Sequence, residues 1–146
     1  MRIVLDSNIL ARANPLAAAD ALARDLVRAA AYPPNFLILS VPILIEIARV
    51  LRYPHVQKRW PLSEEEIQEY LSTLADAGFL VGMPSHIPAI VSDPDDDPIL
   101  QTAIAGHADV LCSRDHAFRA ARVEQICAAH GIRVLDDVSL MRELRG

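Results

Sequence analysis

Five short apolar runs recur along the chain, and a longer segment with helical periodicity follows each of them. The runs are RIVLD (2–6), FLILS (36–40), FLVG (79–82), DVLCS (109–113) and IRVLD (132–136). Short runs that are apolar throughout are typical of strands buried on both faces. Because parallel strands need crossover helices, the alternation predicts a single three-layer α/β/α domain, residues 1–146, around a central, mainly parallel five-stranded sheet.

The segments between the runs carry signals for helix ends. We predict helices over SNILARA (7–13), PLAAADALARDLVRAAAY (15–32), VPILIEIARVLRYP (41–54), LSEEEIQEYLSTLADAG (62–78), PILQTAIAGHA (98–108), DHAFRAARVEQICAAHG (115–131) and DVSLMREL (137–144). Ser63 and Glu66 predict a capping box, and Gly78 predicts a C-terminal stop. Pro54 is expected to end the third helix.

Composition excludes membrane classes and favours a compact protein. Hydrophobic residues make up 52% of the chain, yet no apolar stretch approaches the ~20 residues of a transmembrane helix. Polar residues interrupt the first apolar stretch, so no secretory signal is predicted and a cytoplasmic location is expected. Cys112 and Cys127 are expected to be reduced thiols. The high apolar fraction also suggests a homodimer with an apolar interface.

The charged residues limit the chemistry further. Net charge is −5, which argues against a protein that wraps nucleic acid by bulk electrostatics. Lys58 is the one lysine among 14 basic residues, so lysine-dependent chemistry at any other position is excluded. Only five glycines are present, and no phosphate-cradling glycine motif occurs. The five histidines show no ligand spacing and are expected at the surface or in loops.

Four carboxylates that are distant in sequence are expected at one edge of the sheet. Asp6 closes the first strand and Asp115 follows the fourth, while Glu46 lies one turn into the helix after the second strand. Asp97 opens the helix that leads into the fourth strand. Sites in open parallel sheets lie beyond the carboxyl ends of the strands, and clustered carboxylates need a cation between them. The pattern predicts Mg²⁺ or Mn²⁺, although each acid alone also fits helix capping or solvent exposure.

The segment DPDDDP (93–98) offers several aspartates for one ligand position. Asp97 is preferred because it opens the helix and lies at its N-terminus. Asp96 is the alternative ligand, and Asp93 and Asp95 are expected to cap the helix or line the rim.

Four segments resemble PIN-domain nucleases, especially the PIN-type toxins of bacterial toxin–antitoxin pairs. They are VLDSNIL (4–10), SVPILIEIARVLRYPHVQKR (40–59), DPDDDPILQTAIAGHADVLCSRD (93–115) and IRVLDDVSLMREL (132–144). The resemblance implies a metal-dependent endoribonuclease whose catalytic and metal-binding acids are Asp6, Glu46, Asp97 and Asp115. It also implies a PIN-like fold, a homodimer and a small antitoxin partner whose basic segment occludes the acids.

Residues around the acids have expected supporting roles. Ser7 and Asn8 match the family pattern beside the first acid, and Ser7 is expected to orient Asp6. The arginines near the expected site are Arg49, Arg52, Arg114 and Arg119. These are candidate phosphate contacts for the RNA substrate, although solvated or ion-paired surface positions fit each of them equally well.

Two other classes remain open at this stage. An aspartate phosphoacceptor or phosphatase also places an Asp after the first strand, but it normally needs a lysine late in the chain, and the phosphatase D-x-D is here DSN (6–8). A non-catalytic PIN-like interaction module is the second alternative, although such a module gains nothing from clustered carboxylates. DNA also remains open as a substrate.

Overall fold

The strands of the chain form one parallel sheet. The computed structural model describes residues 1–17, 21–83 and 97–146, with Asp97 described by its backbone alone. The strands are β1 (Arg2–Leu5), β2 (Phe36–Leu39), β3 (Phe79–Leu80), β4 (Val110–Cys112) and β5 (Arg133–Leu135). Their order is β3-β2-β1-β4-β5, and every neighbouring pair is parallel. The predicted five-stranded sheet is confirmed.

Helices cover both faces of this sheet. The helices of the described ranges are α1 (Ser7–Arg12), α2 (Ala21–Ala31), α3 (Val41–Leu51), α4 (Pro54–Arg59), α5 (Glu64–Ala77), α6 (Asp97–Ala105), α7 (Ala121–Ala129) and α8 (Asp137–Arg145), with a 3-10 helix (His116–Arg119) before α7. Helix α2 packs against β1, β2 and α8, and α6 packs against β1, β2 and β4. The predicted three-layer α/β/α arrangement is confirmed.

The segment after β2 differs from its prediction. We expected the third helix to end at Pro54, but α3 ends at Leu51 and α4 begins at Pro54. Proline lacks an N–H and has a fixed φ, both of which suit the first turn of a helix, so it can start one as well as stop one. The side-chain amide of Gln57 donates to the carbonyl oxygens of Leu51 (2.7 Å) and Leu62 (3.1 Å), which holds this turn in place.

The central strand explains why the runs are apolar throughout. Ile3, Val4 and Leu5 of β1 have no exposed surface, because helices cover both faces of the strand. Cys112 and Cys127 are buried free thiols, as predicted. Across the described ranges, no helix combines the length and apolar character needed to cross a membrane.

Helix α5 begins and ends as the sequence predicts. Ser63 and Glu66 form the capping box, and Gly78 is the C-terminal cap. A Cβ atom at Gly78 would lie 2.5 Å from Cδ1 of Leu39 and 3.0 Å from the carbonyl oxygen of Leu37, so a larger residue would force these neighbours to shift. The C-terminal cap of α5 therefore lies against Leu37 and Leu39 of β2.

The direction in which successive strands are added to the sheet reverses at β1. Strand β2 pairs on one side of β1 and β4 on the other, although β4 comes much later in the chain. Open α/β sheets hold ligands at such a switch point, outside the carboxyl ends of the strands. Leu5 pairs with Cys112, so the residues that follow them, Asp6 and Ser113, emerge side by side.

Candidate active site

Asp6 follows β1 directly and is almost completely buried, with 2% of its surface exposed. Its Oδ1 accepts a hydrogen bond from the backbone N–H of Asn8 (3.2 Å) and another from the hydroxyl of Ser7 (3.3 Å). The carboxylate therefore caps α1, the role that the sequence left open beside metal binding. Capping also fixes the direction of the side chain at the carboxyl edge of the sheet.

A stronger contact to Asp6 comes from a residue that we did not predict. Ser113 is fully buried after β4, and its hydroxyl donates to Oδ2 of Asp6 over 2.6 Å. The same hydroxyl oxygen accepts the backbone N–H of Asp115 over 2.9 Å. Ser113 thus connects the two strand-end acids. The sequence does carry a signal for Ser113, because it is a small hydroxyl residue that follows a buried strand and precedes an acid by two positions.

Asp115 shares a cleft with Asp6. Its Oδ1 accepts the backbone N–H of Ala117 over 2.9 Å and caps the 3-10 helix, and the residue is only partly buried. Both carboxylates, together with Asn8, line a cleft of about 570 Å³. The structure therefore brings together the acids that follow β1 and β4.

Glu46 has a different immediate partner. It lies on α3, partly buried, and its carboxylate accepts a hydrogen bond from Nη2 of Arg49 one turn later. An acid among isoleucines needs such a compensating charge. Neither Glu46 nor Arg49 is among the residues that line the cleft.

The fourth predicted acid, Asp97, is placed by its backbone alone. Helix α6 begins at this residue, whose side chain lies outside the description. The other aspartates outside the described residues are Asp93, Asp95 and Asp96. Helix α6 itself is anchored, because the hydroxyl oxygens of Thr102 and Ser40 lie 2.7 Å apart. This bond ties the helix to the end of β2.

The donor atoms at the carboxyl edge partly fit a divalent cation. Within the described parts of the chain, no three His, Cys, Asp or Glu side chains lie close enough together to hold a metal ion. Asp6 and Asp115 nevertheless both line one cleft, and carboxylate oxygens are hard donors of the kind that fit Mg²⁺ or Mn²⁺. The four-acid ligand set stays a prediction, with two of its members in a common cleft.

Three of the four arginines predicted to contact phosphate are not among the cleft residues: Arg49, Arg52 and Arg119. Arg52 donates from Nε and Nη2 to the carboxylate of Glu64, each over 2.8 Å. These hydrogen bonds raise the pKa of Arg52 and lower that of Glu64. Nη1 of Arg119 lies 3.5 Å from the carbonyl oxygen of Ser113, which is long for a hydrogen bond.

The cleft has three arginines in its lining. Arg114 was predicted there, whereas Arg12 and Arg59 were not. Arg12 comes from the last turn of α1, and Arg59 from the unpredicted helix α4. No local sequence pattern predicts Arg59 in the cleft, because its position depends on the unpredicted turn between α3 and α4.

A further buried acid, Asp137, lies beside this cleft and had no predicted role. It begins α8 directly after β5 and is 3% exposed. Its carboxylate lies 3.5 Å from Nε of Arg114 and 3.8 Å from Nη2 of Arg12. Asp137 therefore lies within ion-pair distance of two cleft arginines. The criterion that identified Asp6, an acid directly after a buried strand, would also have indicated this segment.

Several carboxylates lie near the buried end of β4 at the carboxyl edge of the sheet. Burial and then the carboxylates of Asp137, Asp136 and Asp6 raise the pKa of the Cys112 thiol to about 12. Hydrogen bonds from the backbone N–H and hydroxyl of Ser139 hold the pKa of Asp136 below its usual value. Acids that follow two strands, β1 and β5, thus lie near the end of β4, and a cation bound nearby would be stabilised by their field.

The comparisons with known proteins bear on this arrangement. A family model described as PIN domain matches residues 2–117, a range that includes Asp6, Ser113 and Asp115. The comparison with curated proteins gives no match, and neither does the comparison with solved structures. PIN domains are typically nucleases, so the match indicates a nuclease activity in general. With most of its length matched, the chain belongs to the PIN domain family.

Proposed function

We propose that this protein is a Mg²⁺- or Mn²⁺-dependent endoribonuclease that hydrolyses phosphodiester bonds. The observation that carries the proposal is the pair of acids Asp6 and Asp115, connected through Ser113 in one cleft. Glu46 and Asp97 complete the proposed ligand set. When bound, the cation would polarise the phosphate and lower the pKa of the attacking water.

The residues of the chain would prepare this reaction by orientation. Hydrogen bonds from Ser7, Asn8 and Ser113 hold both oxygens of Asp6, so little reorganisation is needed at the acid. Arg114 and Arg12, placed by Asp137, offer donors to phosphate oxygens at the cleft wall. Glu46 is paired with Arg49, so its place in the ligand set requires it to exchange this partner.

Metal binding can be measured without a substrate. We expect saturating Mn²⁺ to raise the melting temperature by roughly 5–10 °C, because a ligand at about a hundred times its Kd adds about 2.7 kcal/mol and each kcal/mol shifts a domain of this size by about 2–4 °C. Differential scanning fluorimetry measures this shift.

A matched pair of variants separates the proposed site from general metal effects. Asp6→Asn should lose most of the shift, and Asp76→Asn, which changes an exposed acid on α5 outside the cleft, should keep it. An equal shift in both variants, or none in the wild type, contradicts metal binding at Asp6. The absence of any shift would favour the non-catalytic interaction module.

We also propose that the enzyme is the toxin of a toxin–antitoxin pair. A planar guanidinium forms bidentate bonds to carboxylates, so a basic antitoxin segment would take the place of metal among the acids. Carboxylates at this edge already accept arginines, as the pairs Glu46–Arg49 and Asp137–Arg114 illustrate. The net charge of −5 also favours a basic partner.

The toxin proposal predicts a co-purifying small protein. Pull-down from the native host should recover a partner with a basic segment, and its affinity should fall as salt rises because charge attraction is screened. If the protein elutes alone and its expression is harmless while its nuclease activity is intact, the toxin proposal is wrong and the nuclease proposal stands.

A further inference from the structure

One wall of the cleft is aromatic and cationic, and it has no part in the proposed metal ligand set. It consists of Tyr53, His55, Arg59 and Trp60, from α4 and the residues on either side of it. We call these four residues the α4 wall. They line the same cleft as Asp6 and Asp115, so a molecule held on the wall would lie beside the acids.

The first part of the α4 wall is a stacked ring pair. The rings of Tyr53 and His55 have centroids 5.8 Å apart and an angle of 23° between their planes. Tyr53 remains 37% exposed although it lines the cleft. Exposed, nearly parallel rings of this kind form a platform on which a planar ligand can stack.

The second part of the α4 wall is a cation in contact with an aromatic ring. The guanidinium carbon of Arg59 lies 4.7 Å from the centroid of the Trp60 ring, and Trp60 is 9% exposed. Among residues 1–17, 21–83 and 97–146, Arg59 has no carboxylate partner. Stacking leaves the N–H groups at the edge of the guanidinium available, and these groups suit phosphate oxygens.

The α4 wall is also held rigidly. Gln57 bonds to backbone oxygens on both sides of α4, at Leu51 and Leu62, and the bidentate pair of Arg52 with Glu64 ties the turn to α5. A surface that is ordered before binding loses little conformational entropy when a ligand binds. These bonds hold the backbone that carries the wall residues.

We propose that the α4 wall is a nucleotide subsite, in which an unpaired base stacks on Tyr53 and His55 while Arg59 binds a neighbouring phosphate. The proposal rests on the proposed nuclease function, and it requires a strand with an unpaired base at the cleft, because a base inside a duplex has no free face for stacking. A cleft of about 570 Å³ has the size of a small-ligand site. Arg12 and Arg114 in its lining share Asp137 as an ion-pair partner, so Arg59 is the lining arginine that the proposal assigns to phosphate.

The α4 wall contains an intrinsic fluorescent probe. Trp60 is the single tryptophan of the chain, so intrinsic fluorescence at tryptophan wavelengths reports directly on this cleft. We would titrate the protein, without added metal, with a short single-stranded oligoribonucleotide, and measure Trp60 emission. Anisotropy of a labelled copy of the oligoribonucleotide gives the affinity independently. An abasic strand of the same length, which keeps the phosphates and lacks the bases, is the matched ligand control.

We expect the oligoribonucleotide to change Trp60 emission and to bind roughly tenfold more tightly than the abasic strand, the effect of one stacked base. Tyr53→Ala and Tyr53→Leu should weaken binding by a similar factor, and Tyr53→Phe should preserve it. Tyr53→Leu keeps an apolar side chain of substantial size in case the alanine variant is destabilised, and thermal unfolding checks that each variant is folded. Tyr32→Ala, at a tyrosine that is 74% exposed outside this cleft, is the control and should bind like the wild type.

Equal binding of the abasic strand, equal binding by Tyr53→Leu, or no binding by the wild type would each overturn the subsite. A cleavage assay on the same variants keeps the two proposals distinguishable. If the wild type cleaves RNA and Tyr53→Leu cleaves it with unchanged KM, the subsite is wrong and the nuclease stands. If nothing is cleaved but the binding pattern holds, the nuclease proposal fails and the α4 wall remains a nucleotide site.

Discussion

Asp6→Asn is expected to abolish metal-dependent RNA cleavage while leaving the protein folded. The variant removes a negative ligand at the centre of the proposed site, so the loss should exceed the roughly 10–100-fold typical of residues that only support a metal ligand. Folding should survive because the remaining amide oxygen can still accept from Asn8. The Ser113 hydroxyl, which donates to Oδ2 in the wild type, can accept a bond from the new amide N–H. Removing one charge beside Asp136 and Asp137 also lowers repulsion, which leaves stability unchanged or higher.

The measurement is cleavage of single-stranded and structured RNAs, and of single-stranded DNA, with and without Mn²⁺, beside thermal unfolding. Asp97→Asn should behave in the same way if Asp97 belongs to the ligand set, and Asp76→Asn should retain full activity. Full activity in Asp6→Asn would remove this residue from the site. A cleaved DNA strand would change the substrate in the proposal without changing its chemistry.

Ser113→Ala has the second largest expected effect. Its hydroxyl connects Asp6 with the backbone of Asp115, so the variant leaves a buried carboxylate oxygen and a backbone N–H without this partner. We expect activity and metal affinity to fall by roughly 10–100-fold. The free energy of unfolding should fall by about 1–3 kcal/mol, the cost of leaving buried polar groups unsatisfied.

Ser7→Ala is the matched comparison, because Ser7 donates to the other oxygen of Asp6 over the longer distance of 3.3 Å. The loss should therefore be smaller in Ser7→Ala than in Ser113→Ala. Cleavage rates at saturating Mn²⁺ and the Mn²⁺ midpoint of the thermal shift separate positioning from stability. A purely structural role for Ser113 would lower the melting temperature and leave the Mn²⁺ midpoint unchanged.

The sequence alone was sufficient to predict the three layers and the alternation of strands and helices along the chain, because the relevant signals are local. The run IVL at residues 3–5 is apolar on both faces of a strand, and this pattern by itself indicates burial between two layers of helices. The capping box of Ser63 and Glu66 and the stop at Gly78 depend on bonds within a few residues of each other. Pro54 failed as a predictor because proline is compatible with either end of a helix, and only packing decides which one it occupies.

Tertiary structure decided which side chains meet at the carboxyl edge. The sequence by itself determined that acids follow the strands, and Ser7 is the hydroxyl beside Asp6 in the chain. The stronger partner is Ser113, which reaches Asp6 only because the register of β1 and β4 pairs Leu5 with Cys112. Register depends on contacts between distant segments, which no local pattern encodes. For the same reason the cleft arginines and the α4 wall follow from how α1, α4 and α8 pack around the sheet.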